Sequence, residues 1–362
     1  MHTFIADYPT EKNIKDGMMI RIKEIDEKFV SQNRQYIDIR FFDNFNANPV
    51  VENPTSNCTV YHYNYFKHWF KINKLLSQSK SVYSHTLYNF IKVMFQLQLW
   101  FPSIPVAHDI HGVIPEELDF QGSKKQSLVY SWVEKMAFKR VNYFVHVTGV
   151  MKKHFHEKYK KLYAKRNITD VTYGIITSIN DANLDSKKIE QAKQQLSLSS
   201  QSILFIYSGG LQKWQNVSIM IDGITRLLQT NSHYKFAIFT GDVAGVKQLL
   251  SQHGLVDSVF VDSVTPDELR YYYSIANYGF VLRDDHILNR VANPTKLSEY
   301  LAFGITPIVI CKQIGDYYDM GYEYIDFDLL DKTTFIASKS SINKEIYLKY
   351  KQANELVKVP FE

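Results

Sequence analysis

Two doubly wound, Rossmann-like α/β domains are the fold class this sequence predicts, and three observations predict it. Short apolar strand candidates alternate with helix-length segments almost throughout. The alternation runs in two series, parted by a polar stretch over 178–202. The chain has 362 residues, 45% of them hydrophobic, enough for two cores rather than one. The first series is Thr3–Ile5, Tyr36–Arg40, Thr59–His62, Ser81–His85, Ile104–His108 and Val141–Val147. The second is Ile203–Tyr207, Lys235–Thr240, Ser258–Val261, Tyr278–Leu282 and Thr306–Ile310. These place one domain at 1–185 and the other at 200–340. Ser341–Val357 reads as a solitary helix, so 341–362 is expected to pack back toward the first domain. In open parallel sheets ligands bind beyond the carboxyl ends of the strands, and two such domains make a cleft for two substrates.

Composition narrows the function classes. The apolar runs Phe101–Ala107 and Ile305–Cys311 contain proline and fall far short of the roughly 20 residues a spanning helix needs. His2–Ala6 reads as a strand and not as an export signal. Cys58 and Cys311 stand far apart without metal-ligand spacing, which predicts neither disulfide nor zinc and suits a reducing cytoplasm. The net charge of +5 is uneven: Met151–Arg166 holds seven Lys or Arg against one Glu. No aromatic platform or reading motif accompanies the basic residues, so no nucleic-acid partner is expected.

The densest chemistry lies in 282–310, LRDDHILNRVANPTKLSEYLAFGITPIVI. A strand ends at Leu282, and a polar loop follows with Arg283, Asp284, Asp285 and Arg290. Asn293 is placed to cap a helix opening at Pro294, with Thr295 and Lys296 in its first turn. Free amides, the helix dipole and the Lys296 charge favour a diphosphate there. One turn on, Glu299 has two oxygens to accept both hydroxyls of a ribose. Gly304 ends the helix before the next strand. Upstream, Phe205–Val217 (FIYSGGLQKWQNV) brings Gly209 and Gly210 to a strand end, where glycine lets the backbone approach phosphate, with Lys213 and Gln215 following.

These segments, with FTGD at 239–242 and VDSVTPDEL at 261–269, resemble the donor domain of retaining GT-B glycosyltransferases, especially glycosyltransferase family 4. The resemblance covers about 203–310; the N-terminal half is similar in layout. It implies a GT-B fold, a nucleoside diphosphate sugar as co-substrate (UDP or GDP), no further cofactor and no metal. Transfer is then with retention, the departing diphosphate taking the acceptor proton. The family's basic pair falls on Gly210 and Gln215, so Lys213, Arg283 and Arg290 are the substitutes to consider. Many members carry a second glutamate eight positions before the one matching Glu299; here that position is Val291.

In the first domain, Ala107–Glu117 (AHDIHGVIPEE) follows a buried-looking strand. The resemblance makes Asp109 and His111 the catalytic candidates. Acceptor-side candidates are Asp16 and Gly17 at a helix start, His85, Glu116 and Thr148. Satisfied loop histidines and a solvated Glu116–Glu117 helix start are the structural alternatives. Tyr65–Leu76 sets Phe66, Trp69, Phe70 and Leu76 among Lys67, Lys71 and Lys74. It reads equally as a core-facing helix and, with Met151–Arg166, as a peripheral contact with the inner face of the cell membrane. The function expected is sugar transfer to a glycan or lipid-linked acceptor in bacterial capsule, exopolysaccharide or O-antigen synthesis. A protein acceptor, or an inactive nucleotide-sugar or glycan-binding protein, are the alternatives.

Overall fold

The computed structural model describes residues 1–13, 17–42, 50–177 and 179–362. The chain forms two compact units, 1–175 with 356–362, and 176–355. The division falls before the polar stretch rather than within it. The reason is the helix Ser186–Gln195, which lies against Pro266–Ile275 of the second unit, where Tyr272 Oη donates to Gln195 (2.5 Å). The C-terminal helix Ser341–Glu355 belongs to the second unit and the seven residues after it to the first.

Unit 1 carries eight strands: β1 (His2–Ile5), β2 (Arg34–Arg40), β3 (Val50–Thr55), β4 (Cys58–Asn64), β5 (Ser81–His85), β6 (Val106–Ile110), β7 (Tyr143–His146) and β8 (Thr169–Thr172). Their order is β3-β4-β2-β1-β5-β6-β7-β8, parallel except for β3 against β4. β1, β5 and β6 are buried along their whole length, as strands covered by helices on both faces must be. Sequence patterning missed β3 and β8, both edge strands. All six residues of β3 are exposed and include Pro54, which only an edge tolerates.

Unit 2 has β9 (Ile203–Ser208), β10 (Tyr234–Phe239), β11 (Val259–Asp262), β12 (Tyr278–Val281), β13 (Thr306–Val309) and β14 (Ile325–Asp326), all parallel, in the order β11-β10-β9-β12-β13-β14. This is the doubly wound order, with its switch point between β9 and β12; in unit 1 the switch lies between β1 and β5. The two-residue β14 left no sequence signal. The fold is thus the expected pair of Rossmann-like sheets.

One packing detail positions the later chemistry. The helix Thr295–Ala302 presses Tyr300 flat against β12 at Gly279, where any side chain would collide with the ring. Tyr300 Oη donates to Ile206 O of β9 (3.3 Å). The helix is therefore pinned across both strands of the switch point.

Candidate functional site

In unit 2 the polar residues converge where β9 and β12 end. Gly209, at φ +145°, turns the chain immediately after β9, and an added Cβ there would lie 3.1 Å from Lys296 Nζ. Lys296, on the first turn of Thr295–Ala302, is buried; its ammonium donates to Gln215 Oε1 (3.0 Å) and sits 3.8 Å from the Tyr207 ring centroid. Tyr207 Oη donates to Gly210 O (2.6 Å), fixing the glycine turn. Burial pushes Lys296 well below the usual lysine value, the neighbouring Arg283 adds to this, and Glu299 opposes it. Arg283 is likewise lowered by burial. No carboxylate of the described residues forms an ion pair with Lys296, so two cations face each other with partial compensation only.

Glu299, one turn further along, accepts from Tyr273 Oη (2.8 Å), which is itself 2.5 Å from Ser208 Oγ at the end of β9. Burial raises its carboxyl to about 7, against hydrogen bonds from Tyr273 and Thr177 and the charge of Lys296. The Ser208–Tyr273–Glu299 chain fixes the carboxylate beside the end of β9.

The other donor-side candidates divide. Gly210 and Gln215 belong to the cluster. Lys213 is exposed at the start of a short 3-10 turn and makes no side-chain bond to the cluster. Arg290 is engaged bidentately by Asp285 (2.6 and 2.8 Å) on the exposed side of the loop. Asp284 accepts from Asn216 Nδ2 (2.8 Å), bracing the β12 loop against the β9 loop. Asn293 is not the helix cap: Pro294 holds that position without a side-chain bond, and Asn293 turns inward to Ser298 (3.2 Å) and Tyr350 (2.8 Å). Thr295 is the first helical residue, so its amide is among those a helix cannot satisfy internally. Val291 is fully buried, and its side chain offers a ligand nothing polar.

In unit 1 the ends of β5 and β6 build a different cluster. Asp109, 0% exposed, accepts from Arg21 at both oxygens (3.0 and 3.1 Å), with His85 Nδ1 (3.1 Å) and His111 Nε2 (3.2 Å) also on Oδ2. Burial opposes its charge, but Arg21, His111 and His85 hold the carboxyl well below its ordinary range. Burial drives His85 down to about 4, so it is neutral. Only His111 of this set is partly open, its side chain 13% exposed. It borders a cavity of about 310 Å³ with Gly17, Arg21, Thr86, Tyr88 and Glu117. Asp109 reaches that cavity only through Arg21 and His111.

Of the acceptor-side candidates, Gly17 lines the cavity and His85 stands behind it. Asp16 lies outside the described residues. Glu116 is turned away to Lys158 (2.6 Å), and its neighbour Glu117 takes the cavity wall. Thr148 is buried as the cap of the helix Gly149–Lys158, accepting from Met151 N (3.0 Å). Sequence reasoning missed Tyr207, Tyr273, Arg21 and Thr86. The tyrosines sit on strand and helix positions that read as core, and Arg21 lies on a helix 88 residues from its partner Asp109. Among the described residues His85, Asp109 and His111 alone converge as metal ligands would. Arg21 already occupies both oxygens of that carboxylate, and its charge works against a cation.

No family model and no curated protein matches the sequence. Solved structures do match over nearly the whole length. A sucrose-phosphate synthase from Thermosynechococcus elongatus is 14% identical, TM-score 0.64, covering 98% of each chain. WaaG, a glycosyltransferase involved in lipopolysaccharide biosynthesis, is 10% identical, TM-score 0.60, covering 99% of this chain and 96% of that one. Anabaena HepE in complex with UDP and glucose is 11% identical, TM-score 0.63, covering 97% and 94%. At such identities the likeness concerns architecture, and the architecture is the GT-B fold of these glycosyltransferases.

Proposed function

We propose that this chain is a retaining glycosyltransferase that moves a sugar from a nucleoside diphosphate sugar, with UDP or GDP as the nucleotide, to a glycan or lipid-linked acceptor. The observation that carries the reading is the buried Lys296 beside Arg283, at the switch point of unit 2 and against the Gly209–Gly210 turn. Two cations held this way favour a bound diphosphate, which would relieve their repulsion and receive the helix amides. Glu299 one turn along fits a ribose. The match to HepE, crystallised with UDP and glucose, supports the same ligand class. The cavity beside His111 is the acceptor pocket in this reading, with His111 oriented by Asp109 and the diphosphate itself accepting the acceptor's proton. Work at the cytoplasmic face of the membrane, in surface polysaccharide synthesis, is the setting the reading suggests.

Titration calorimetry with UDP, GDP and CDP tests it. One nucleotide should bind, and Glu299→Ala should weaken it about tenfold, the range of a charge-assisted hydrogen bond. No binding by any of the three sinks the donor-site assignment. The apolar Val291 favours a second reading, nucleotide-sugar binding without transfer. Nucleotide binding with neither hydrolysis nor transfer across a panel of nucleotide sugars would select it.

A further inference from the structure

Three segments of unit 1 leave large apolar side chains in solvent. On the helix Trp69–Ser77, Phe70 is 86% exposed, with Phe66 one turn before it. On the π turn Gln96–Trp100, Leu99 is 68% and Trp100 52% exposed, and Phe95 at its start is exposed too. On the helix Lys124–Arg140, Leu128 is 73% exposed, and the exposed Trp132 lies four residues after it and three after the exposed Val129.

These are neighbours and not scattered singletons. Trp69 meets Trp100 edge-on at 5.3 Å, and Phe95 meets Trp132 at 6.1 Å. Gln98 Nε2 donates to Met136 O (3.3 Å) and Arg140 Nε to Leu97 O (2.7 Å), fixing the turn to the long helix. An apolar surface this continuous marks an interaction site.

The exposed charges on these three segments carry one sign. Residues 65–77 contain Lys67, Lys71 and Lys74 and no acid; 92–104 contain no acid either. On the long helix Lys125, Lys135 and Lys139 bracket the apolar stripe, and its one acid, Glu134, is buried and ion-paired with Lys158 (2.5 Å). Aromatic and aliphatic side chains on segments whose exposed charges are all lysine match an anionic bilayer, where rings enter the headgroup boundary and ammonium groups meet lipid phosphates. The basic stretch 151–166, by contrast, has no large apolar side chain exposed. Lys158 and Lys160 there are tied to carboxylates.

We propose that this surface, built from Trp69–Ser77, the Gln96–Trp100 turn and Lys124–Arg140, docks unit 1 onto an anionic lipid bilayer. Tyr88 links it to the cavity, lining that pocket while its ring packs 4.9 Å from Tyr130 of the long helix. The bilayer would thus lie beside the pocket's wall. The docking itself is independent of any transfer chemistry.

The test is co-sedimentation of the full chain with phosphatidylcholine vesicles, with and without roughly a quarter phosphatidylglycerol, at low and high salt. Wild type should bind the anionic vesicles, and more weakly at high salt. The triple variant Phe70→Ser, Trp100→Ser, Trp132→Ser and the pair Lys71→Glu, Lys74→Glu should each lower binding about tenfold or more. The pair Lys161→Glu, Lys165→Glu, equal in charge change but on the other basic stretch, should lower it at most about twofold. Thermal melts of all variants check folding. Wild type that ignores anionic vesicles, or equal loss from both lysine pairs, overturns the proposal. So does a wild-type dimer in solution that the aromatic variant converts to monomer, since a second copy would then be the occupant.

Discussion

The two switch points are built from similar residue types and differ in how their charges are balanced. In unit 1, Arg21 and Asp109 form a bidentate pair that is wholly buried, and two histidines complete it. In unit 2, Lys296 and Arg283 lie together with only Gln215, a tyrosine face and a carboxyl whose own proton affinity is raised. A closed set of charges holds a fold; an unbalanced one, in the function proposed, holds a ligand. The comparison teaches that a residue's worth to stability and its worth to binding are separate quantities.

The largest effect is expected in unit 1. Asp109→Ala leaves the Arg21 guanidinium buried without its partner, and such a loss costs about 3–5 kcal/mol. Chemical denaturation should show a fall of that order. A change below about 1 kcal/mol would mean the pair is not the structural keystone that its burial implies.

Next comes the pH behaviour of Glu299. Its carboxyl is raised from an ordinary 4.5 to about 7, so the folded state holds this proton more tightly than the unfolded chain. Between those values folding takes up a proton, and stability falls as pH rises, by up to about 3 kcal/mol once pH exceeds 7. Glu299→Gln removes the slope. The variant should therefore match wild type near pH 4.5 and exceed it at pH 8, as denaturation at both pH values would reveal. Parallel curves would contradict the burial argument.

Lys296→Met sharpens the contrast from the binding side. Removing a buried, poorly compensated cation should leave the melting temperature unchanged or higher, while UDP affinity falls about 10- to 100-fold, corresponding to a charge-assisted bond of ~1.5–3 kcal/mol. Loss of stability with affinity intact would assign Lys296 to the fold.

The sequence was most readable where one periodicity or one short motif decides. Every fully buried strand was legible, as in β9, an apolar run closed by a single serine. Of the edge strands only β11 was: β3 looks like a loop because solvent covers it, β8 is only partly buried, and β14 is too short to carry a period. In the site, Lys296 and Glu299 were legible as adjacent turns of one helix, and His111 as a strand-end residue. Arg21 and Tyr273 were not, because their partners come from other elements; nor was Thr86, whose role lies in its backbone angle. Asn293 was misassigned as a cap, since Asn before Pro fits the local rule and only the distant Tyr350 shows where its side chain goes.

The smallest effect concerns backbone strain. Thr86, directly after β5, holds φ +63°, a region β-branched residues avoid, and its buried Oγ1 has no partner among the described residues. In unit 2 the comparable left-handed position is Asn216 (φ +51°), a residue type that tolerates it, with its side chain bonded to Asp284. Thr86→Gly relieves the strain and deletes an unpaired hydroxyl. Against this stand the lost burial of one methyl, about 0.8 kcal/mol, and a freer unfolded chain, about 0.4–1 kcal/mol. The balance favours the variant by something on the order of 1 kcal/mol. Asn216→Gly has no strain of that size to relieve and loses a hydrogen bond, so it should stabilise nothing. If both glycines destabilise, Thr86 is held by packing that outweighs its backbone. If only Thr86→Gly stabilises, the strain at the cavity wall in unit 1 is maintained at a cost to the fold, which is the signature of a position kept for its ligand.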